Sequence, residues 1–88
     1  MLRIQRTTAR TLTVLTVSGR LDAENLSELR QSLDMVPAGE GVVVDLADLI
    51  LTDRGAVRFL GDCEACGRIV LRNCPAFIRR WMAAEGIR

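Results

Sequence analysis

Three short runs of apolar residues, separated by two stripes of helical spacing, limit this chain to a mixed α/β fold. The first run, Leu12-Thr13-Val14-Leu15-Thr16-Val17, is rich in β-branched residues and follows the alternating Leu2-Arg3-Ile4-Gln5. Both read as strands, and the polar Thr7-Thr8-Ala9-Arg10 between them predicts a hairpin turn. Gly19 is expected to end the second strand. Val42-Val43-Val44-Asp45-Leu46 is a nearly unbroken apolar run, as expected of a strand covered on both faces. Arg68-Ile69-Val70-Leu71-Arg72 is the last such run, turned by Asn73.

Between these runs the period changes. Leu26, Leu29, Leu33 and Val36 form one helical stripe, with Asp22 at the N-cap, Glu24 in the first turn, and Pro37, Gly39 and Gly41 as the stop. Ala56, Phe59, Leu60 and Cys63 form a second stripe after a loop around Thr52-Asp53-Arg54-Gly55, ended by Gly67. Pro75 opens a last helix carrying Phe77, Ile78, Trp81 and Met82, the side chains that dock it on the sheet. The order is β-β-α-β-α-β-α. Strands joined through helices pair in parallel by right-handed crossovers, whereas the opening hairpin is antiparallel. At 88 residues the chain forms one domain, residues 1–88.

Composition narrows the function. The chain has 12 basic residues, all arginine, against 11 acidic ones, for a net charge of +1. That balance gives no electrostatic reason to expect nucleic acid or anionic lipid as a partner. Lysine, histidine and tyrosine are absent. A Ser-His triad, a histidine metal site, a Schiff-base lysine and a P-loop lysine are therefore excluded. No apolar run reaches the roughly 18 residues of a membrane span, and the N-terminus lacks the pattern of a signal peptide. Three cysteines are too few for a secreted disulfide framework, so a cytoplasmic location is expected. The chain is read as a module that binds rather than catalyses, without cofactor or metal.

Four places carry the candidate chemistry. Thr52-Asp53-Arg54-Gly55 lies between a strand end and a helix start, where open α/β sheets place binding sites; Asp53 or Thr52 also suits a helix cap. Asp22 reads as a helix cap, and Asp45 as an acceptor for loop N–H groups. A paired-carboxylate hydrolase built on Asp22, Asp45 and Asp53 would have no histidine, lysine or Gly-rich phosphate cradle to work with. Cys63-Glu64-Ala65-Cys66 closes a helix rather than opening one, so the dipole favours thiol, and Cys63 and Cys74 read as small buried hydrophobes. Arg79, Arg80 and Arg88 form a modest basic end read as a solvated face.

These landmarks, taken in order, resemble the STAS domain, the fold of bacterial anti-sigma-factor antagonists and of the cytoplasmic tail of sulfate transporters. Val17-Ser18-Gly19-Arg20-Leu21-Asp22 resembles its G-x-L-D signature, and Val42-Val43-Val44-Asp45-Leu46 its central strand. Leu51-Thr52-Asp53-Arg54-Gly55 stands where the family carries an Asp-Ser-Ser-Gly loop, and Gly67–Pro75 resembles its final strand and turn. The resemblance implies a protein-interaction module that binds an anti-sigma factor of the serine-kinase type in partner-switching control of transcription. It places the partner surface on Thr52, Asp53, Arg54, Gly55 and Asp22.

Two departures follow from the same alignment. The family's phosphoserine position falls on Asp53, which has no hydroxyl and carries one negative charge where phosphoserine carries about −1.5 to −2. The chain also stops at Gly86-Ile87-Arg88, before the usual C-terminal strand and helix, so an open edge and a homodimer are expected possibilities. An alternative implied by the same resemblance is a STAS subunit of an ABC-type lipid-transport complex, docking on its ATPase.

Overall fold

The computed structural model describes residues 1–86. Eight elements follow in order: β1 (Leu2–Ala9), β2 (Leu12–Leu21), α1 (Leu26–Asp34), β3 (Gly41–Asp45), β4 (Leu49–Thr52), α2 (Arg54–Ala65), β5 (Val70–Arg72) and α3 (Ala76–Ala84). The expected order is present with one strand added, β4. β1 and β2 pair antiparallel from Leu2↔Gly19 to Ala9↔Leu12, and β3 pairs β2 and β5 in parallel. The hairpin turn is tighter than its composition implies: Arg10 and Thr11 alone make it, with Arg10 in the left-handed region at φ 54°.

β4 is the strand that positions the site. β3 runs along the first half of β2, from Leu12↔Gly41 to Thr16↔Asp45, and β4 runs along its end, from Gly19↔Leu49 to Leu21↔Thr52. One flank of β2 is thus lined by two successive strands, with a break at 46–48 closed by the Gly19 N–H donating to the Asp48 carbonyl at 3.1 Å. Gly19 does not end β2. It adopts φ +86° beside an irregularity in the β2–β4 register, and the strand continues to Leu21. The ends of β2 and β4 therefore lie side by side, and so do the segments that follow them.

Leu15, Val17, Leu21, Val44, Leu46, Leu60 and Ile78 are among the residues of a single buried cluster. Within it, α1 contributes Leu26, Leu29 and Leu33, α2 contributes Ala56, Val57, Leu60 and Cys63, and α3 contributes Ile78 and Met82. All the sheet side chains of this cluster come from alternate positions of one face. The opposite face is open: Val14 and Val43 are half-buried, and their row neighbour Val70 is 62% exposed. β3 is therefore covered on one face and not on both, because the helices form one layer. Val42, Val44 and Leu46 of the apolar run are buried, and Val43 stands on the open face.

Helix ends follow simple chemistry with two corrections. α1 begins at Leu26 with Asn25 as N-cap, not at Asp22. Gly67, at φ +80°, follows α2 as expected. In α3, Pro75 is the N-cap, Ile78 and Met82 are buried, and Trp81 packs partly against the core, whereas Phe77 is exposed. Phe59 of α2 is half-buried, packs against the core cluster, and also holds the Arg30 guanidinium 4.9 Å from its ring centroid in a cation–π contact.

Candidate functional site

The sequence segment read as a loop is a strand end, a cap and a helix start. Thr52 closes β4, Asp53 is the N-cap of α2, and Arg54 and Gly55 are its first residues. Asp53 has the extended backbone of a cap, and its Oδ1 accepts from the Ala56 N–H at 2.9 Å. Its other oxygen, Oδ2, accepts from the Ala23 N–H at 2.9 Å. One carboxylate thus caps α2 and fastens the segment after β2 to it. Arg54 leans the other way, its Nε donating to Glu85 Oε1 at 2.8 Å at the C-cap of α3.

Asp22 organises the neighbouring turn. Its Oδ1 accepts the N–H groups of Glu24 at 3.0 Å and Asn25 at 3.2 Å, and its Oδ2 accepts from Arg20 Nε at 2.6 Å. Asn25 returns the favour: its Oδ1 accepts the Asp22 N–H at 2.8 Å and its Nδ2 donates to the Arg20 carbonyl at 2.8 Å. This reciprocal turn delays the helix to Leu26, which is why Asp22 caps a turn and not α1. The Arg20 hydrogen bond foremost, then the Asn25 and Glu24 N–H groups, hold the Asp22 carboxyl below the usual carboxylate range.

Arg20, Asp22, Leu51, Thr52 and Asp53 together line an open pocket of about 260 Å³. The Thr52 hydroxyl is buried in its wall with no hydrogen-bond partner. Beside the pocket β4 presents Ile50, 73% exposed, and Leu51, 57% exposed. This apolar pair is what the sequence reading missed. The signal was in the unbroken Leu49-Ile50-Leu51, which shows no period of its own.

Asp45 lies apart, at the end of β3. It accepts the Ala47 N–H at 2.9 Å, Arg72 Nε and Nη2 at 3.1 and 2.9 Å, and Asn73 Nδ2 at 3.3 Å. The Ala47 N–H first, then Arg72 and Asn73, keep its carboxyl below the ordinary range. It joins the β3 and β5 ends and does not reach the pocket lining. The three carboxylates imagined as a hydrolytic set are each engaged in local hydrogen bonds.

Cys63 is buried, Cys74 half-buried and Cys66 exposed, and burial pushes the Cys63 and Cys74 thiols up. Among the described residues no group of three or more His, Cys, Asp or Glu side chains is arranged to hold a metal ion. Likewise no described helix is long and apolar enough to cross a membrane. Of the basic end, Arg79 is paired to Glu64 through both carboxylate oxygens at 2.7 and 2.8 Å, Arg80 is exposed, and Arg88 lies outside the described residues, as does Ile87.

The comparisons with known proteins fit this geometry. A family model described as Mlab, STAS domain, matches residues 4–88. Among solved structures, that of the Bacillus cell fate determinant SpoIIAA in the phosphorylated form superposes with a TM-score of 0.66, covering 99% of this chain and 85% of that one at 17% identity. At that identity the likeness is one of fold. Comparison with curated proteins finds no match. With an antiparallel β1–β2 hairpin, parallel inner strands, a helical layer on one face and a family match along nearly its whole length, the chain belongs to the STAS-domain family.

Proposed function

We propose that this chain is a non-catalytic protein-interaction module of the anti-sigma-factor-antagonist kind, binding an anti-sigma factor of the serine-kinase type through Asp22, Thr52, Asp53, Arg54 and Gly55. The observation that carries the reading is the double engagement of Asp53, whose two oxygens accept from Ala56 and Ala23. A carboxylate held by two backbone N–H groups fixes the cap of α2 and the turn after β2 as one rigid surface, which lowers the ordering cost of docking. Ile50 and Leu51 flank it with exposed apolar area, the ingredient an interface centre needs. The charge of Asp53 points into the fold's own donors. We therefore read it as a built-in cap that leaves the module permanently competent, not as an imitation of phosphoserine.

A second reading is favoured by the same side chains. Asp53 has no hydroxyl, and the Thr52 hydroxyl is buried, so the surface suits a partner that docks without phosphorylation, as the ATPase of an ABC-type lipid-transport complex would. Pull-down from native lysate with the wild-type chain and with Asp53→Ser separates the two. Recovery of an anti-sigma kinase supports the first reading, and recovery of a transporter ATPase, equally with both baits, supports the second. If Leu51→Glu and Arg54→Glu leave all specific captures unchanged, this surface is not the docking site.

A further inference from the structure

Charge is segregated along this nearly neutral chain. Residues 1–21 hold four arginines and no acidic residue, whereas residues 22–53 hold eight acidic residues and one arginine. Of the four, Arg20 is paired with Asp22. Arg3 and Arg6 on β1, and Arg10 at the hairpin turn, are exposed and have no ion-pair partner among the described residues.

β1 pairs only with β2, so its outer edge is open among the described residues. The Arg20 N–H donates to the Met1 carbonyl at 3.0 Å, which sets the phase of the ladder. In an antiparallel pair the inward groups then belong to Met1, Arg3, Gln5, Thr7 and Ala9, and those of Leu2, Ile4, Arg6 and Thr8 face outward. Those four residues present eight unpaired backbone groups along an edge of about 27 Å. Every residue of β1 from Gln5 onward is exposed, and Leu2 and Ile4 are half-buried against the core.

We propose that the β1 edge accepts an extended acidic segment of a partner protein as an added strand of the sheet. Main-chain hydrogen bonds would come from Leu2, Ile4, Arg6 and Thr8. Ile4, paired with the buried Val17, would gain an apolar neighbour on the helical side. Arg3 is registered opposite Ser18 and Arg6 opposite Leu15, so the two arginines leave the edge on opposite faces. They flank an incoming strand from both sides, and no flat surface meets both. That divergence, together with the outward backbone groups, favours a peptide strand over a lipid surface or a nucleic acid. The same arginines add like charge when β1 meets a second β1 and attract opposite charge.

The test uses the full chain, isotopically labelled, and an N-acetylated, C-amidated peptide of four Glu-Val repeats, with the Lys-Val analogue as control. Amide hydrogen exchange should slow at Leu2, Ile4, Arg6 and Thr8 with the glutamate peptide and not with the lysine one. Thr8→Pro removes an outward N–H and no β1–β2 hydrogen bond, so it should weaken binding at least about fivefold while leaving the melting temperature unchanged. Arg3→Glu with Arg6→Glu should weaken it by roughly tenfold or more. Failure of those four amides to slow overturns the proposal. So does Thr8→Pro binding as wild type, or equal response to both peptides. Binding of phosphatidylglycerol vesicles or duplex DNA that Thr8→Pro leaves intact, without peptide binding, would show an electrostatic patch in place of a strand acceptor. The Asp53 surface is absent from every arm, so the result is independent of the reading given above for that site.

Discussion

Asp53 accepts the backbone N–H of Ala23, thirty residues earlier in the chain, at 2.9 Å. The contact is possible because β4 runs beside the end of β2, with Thr52 in register with Leu21. The residue after β4 therefore faces the turn that follows β2. Asp53 is thus a structural acceptor shared between a helix cap and a neighbouring turn.

Removing that acceptor separates its two duties. Asp53→Ala loses both hydrogen bonds and should destabilise the fold by about 1–2 kcal/mol, the range of a lost N-cap. Asp53→Ser keeps a capping oxygen for Ala56 but is too short to hold Ala23 as well, so its cost should be less than half of that. Urea unfolding at neutral pH, with the slope unchanged, measures both. An equal loss in the two variants would mean that the Ala23 contact carries the stability and the cap does not.

The Thr52 hydroxyl gives the opposite expectation. It is buried without a partner, and a buried hydroxyl left unpaired costs the fold its desolvation. Thr52→Val keeps the shape and removes that cost, so it should be neutral or stabilising by up to about 1 kcal/mol. The same burial leaves Thr52 unavailable to a kinase in the folded state. A clear loss of stability in Thr52→Val would show that the hydroxyl is satisfied by solvent.

How much of this was legible in the sequence depended on period. Leu26, Leu29 and Leu33, and the alternate Thr13, Leu15 and Val17, are buried as their spacing requires. The inner strands and helices follow from them. β4 was hidden because Leu49-Ile50-Leu51 has no alternation: Leu49 is buried while Ile50 and Leu51 are both exposed. Covering of β3 on both faces was read from three valines, yet Val43 faces outward, and a run of one residue type does not state which faces are covered. Asp53 could be named as a cap from its place before Ala56. Its second bond, to Ala23, depends on the β2–β4 register, and no local pattern encodes that. Asp22 has the chemistry of a helix N-cap, yet Asn25 takes that place, held by hydrogen bonds back to Asp22 and Arg20 that no local pattern announces.

Gly19 is where a side chain is least tolerable in the hairpin. It holds φ +86°, and a Cβ there would collide with the Met1 carbonyl oxygen, the acceptor for Arg20. Gly19→Ala should therefore cost about 1–3 kcal/mol and free the start of β1. Faster amide exchange at Arg3, with Thr7 near the turn unaffected, would locate the damage. An alanine variant as stable as wild type would mean that the Met1 end of the strand is not held in solution.

Acid should unfold the protein through Asp45 and Asp22. Both carboxyls are held below their ordinary value of 3.8, Asp45 chiefly by the Ala47 N–H and Asp22 chiefly by Arg20. Between the folded and unfolded pKa values the unfolded chain binds more protons, so stability rises with pH in that window. Their contribution is complete above the unfolded value, near pH 4, and is lost as the pH falls through the folded values. Asp45→Asn keeps an oxygen for Ala47 but loses the charge that Arg72 and Asn73 address, and should cost about 1–3 kcal/mol at pH 7. Its stability should also fall less steeply than wild type below pH 4. Urea midpoints taken from pH 2.5 to 7 on both chains test this. Parallel curves with a constant offset would remove Asp45 from the acid transition and leave it to Asp22 and to Glu64, whose carboxyl the Arg79 hydrogen bond also holds low.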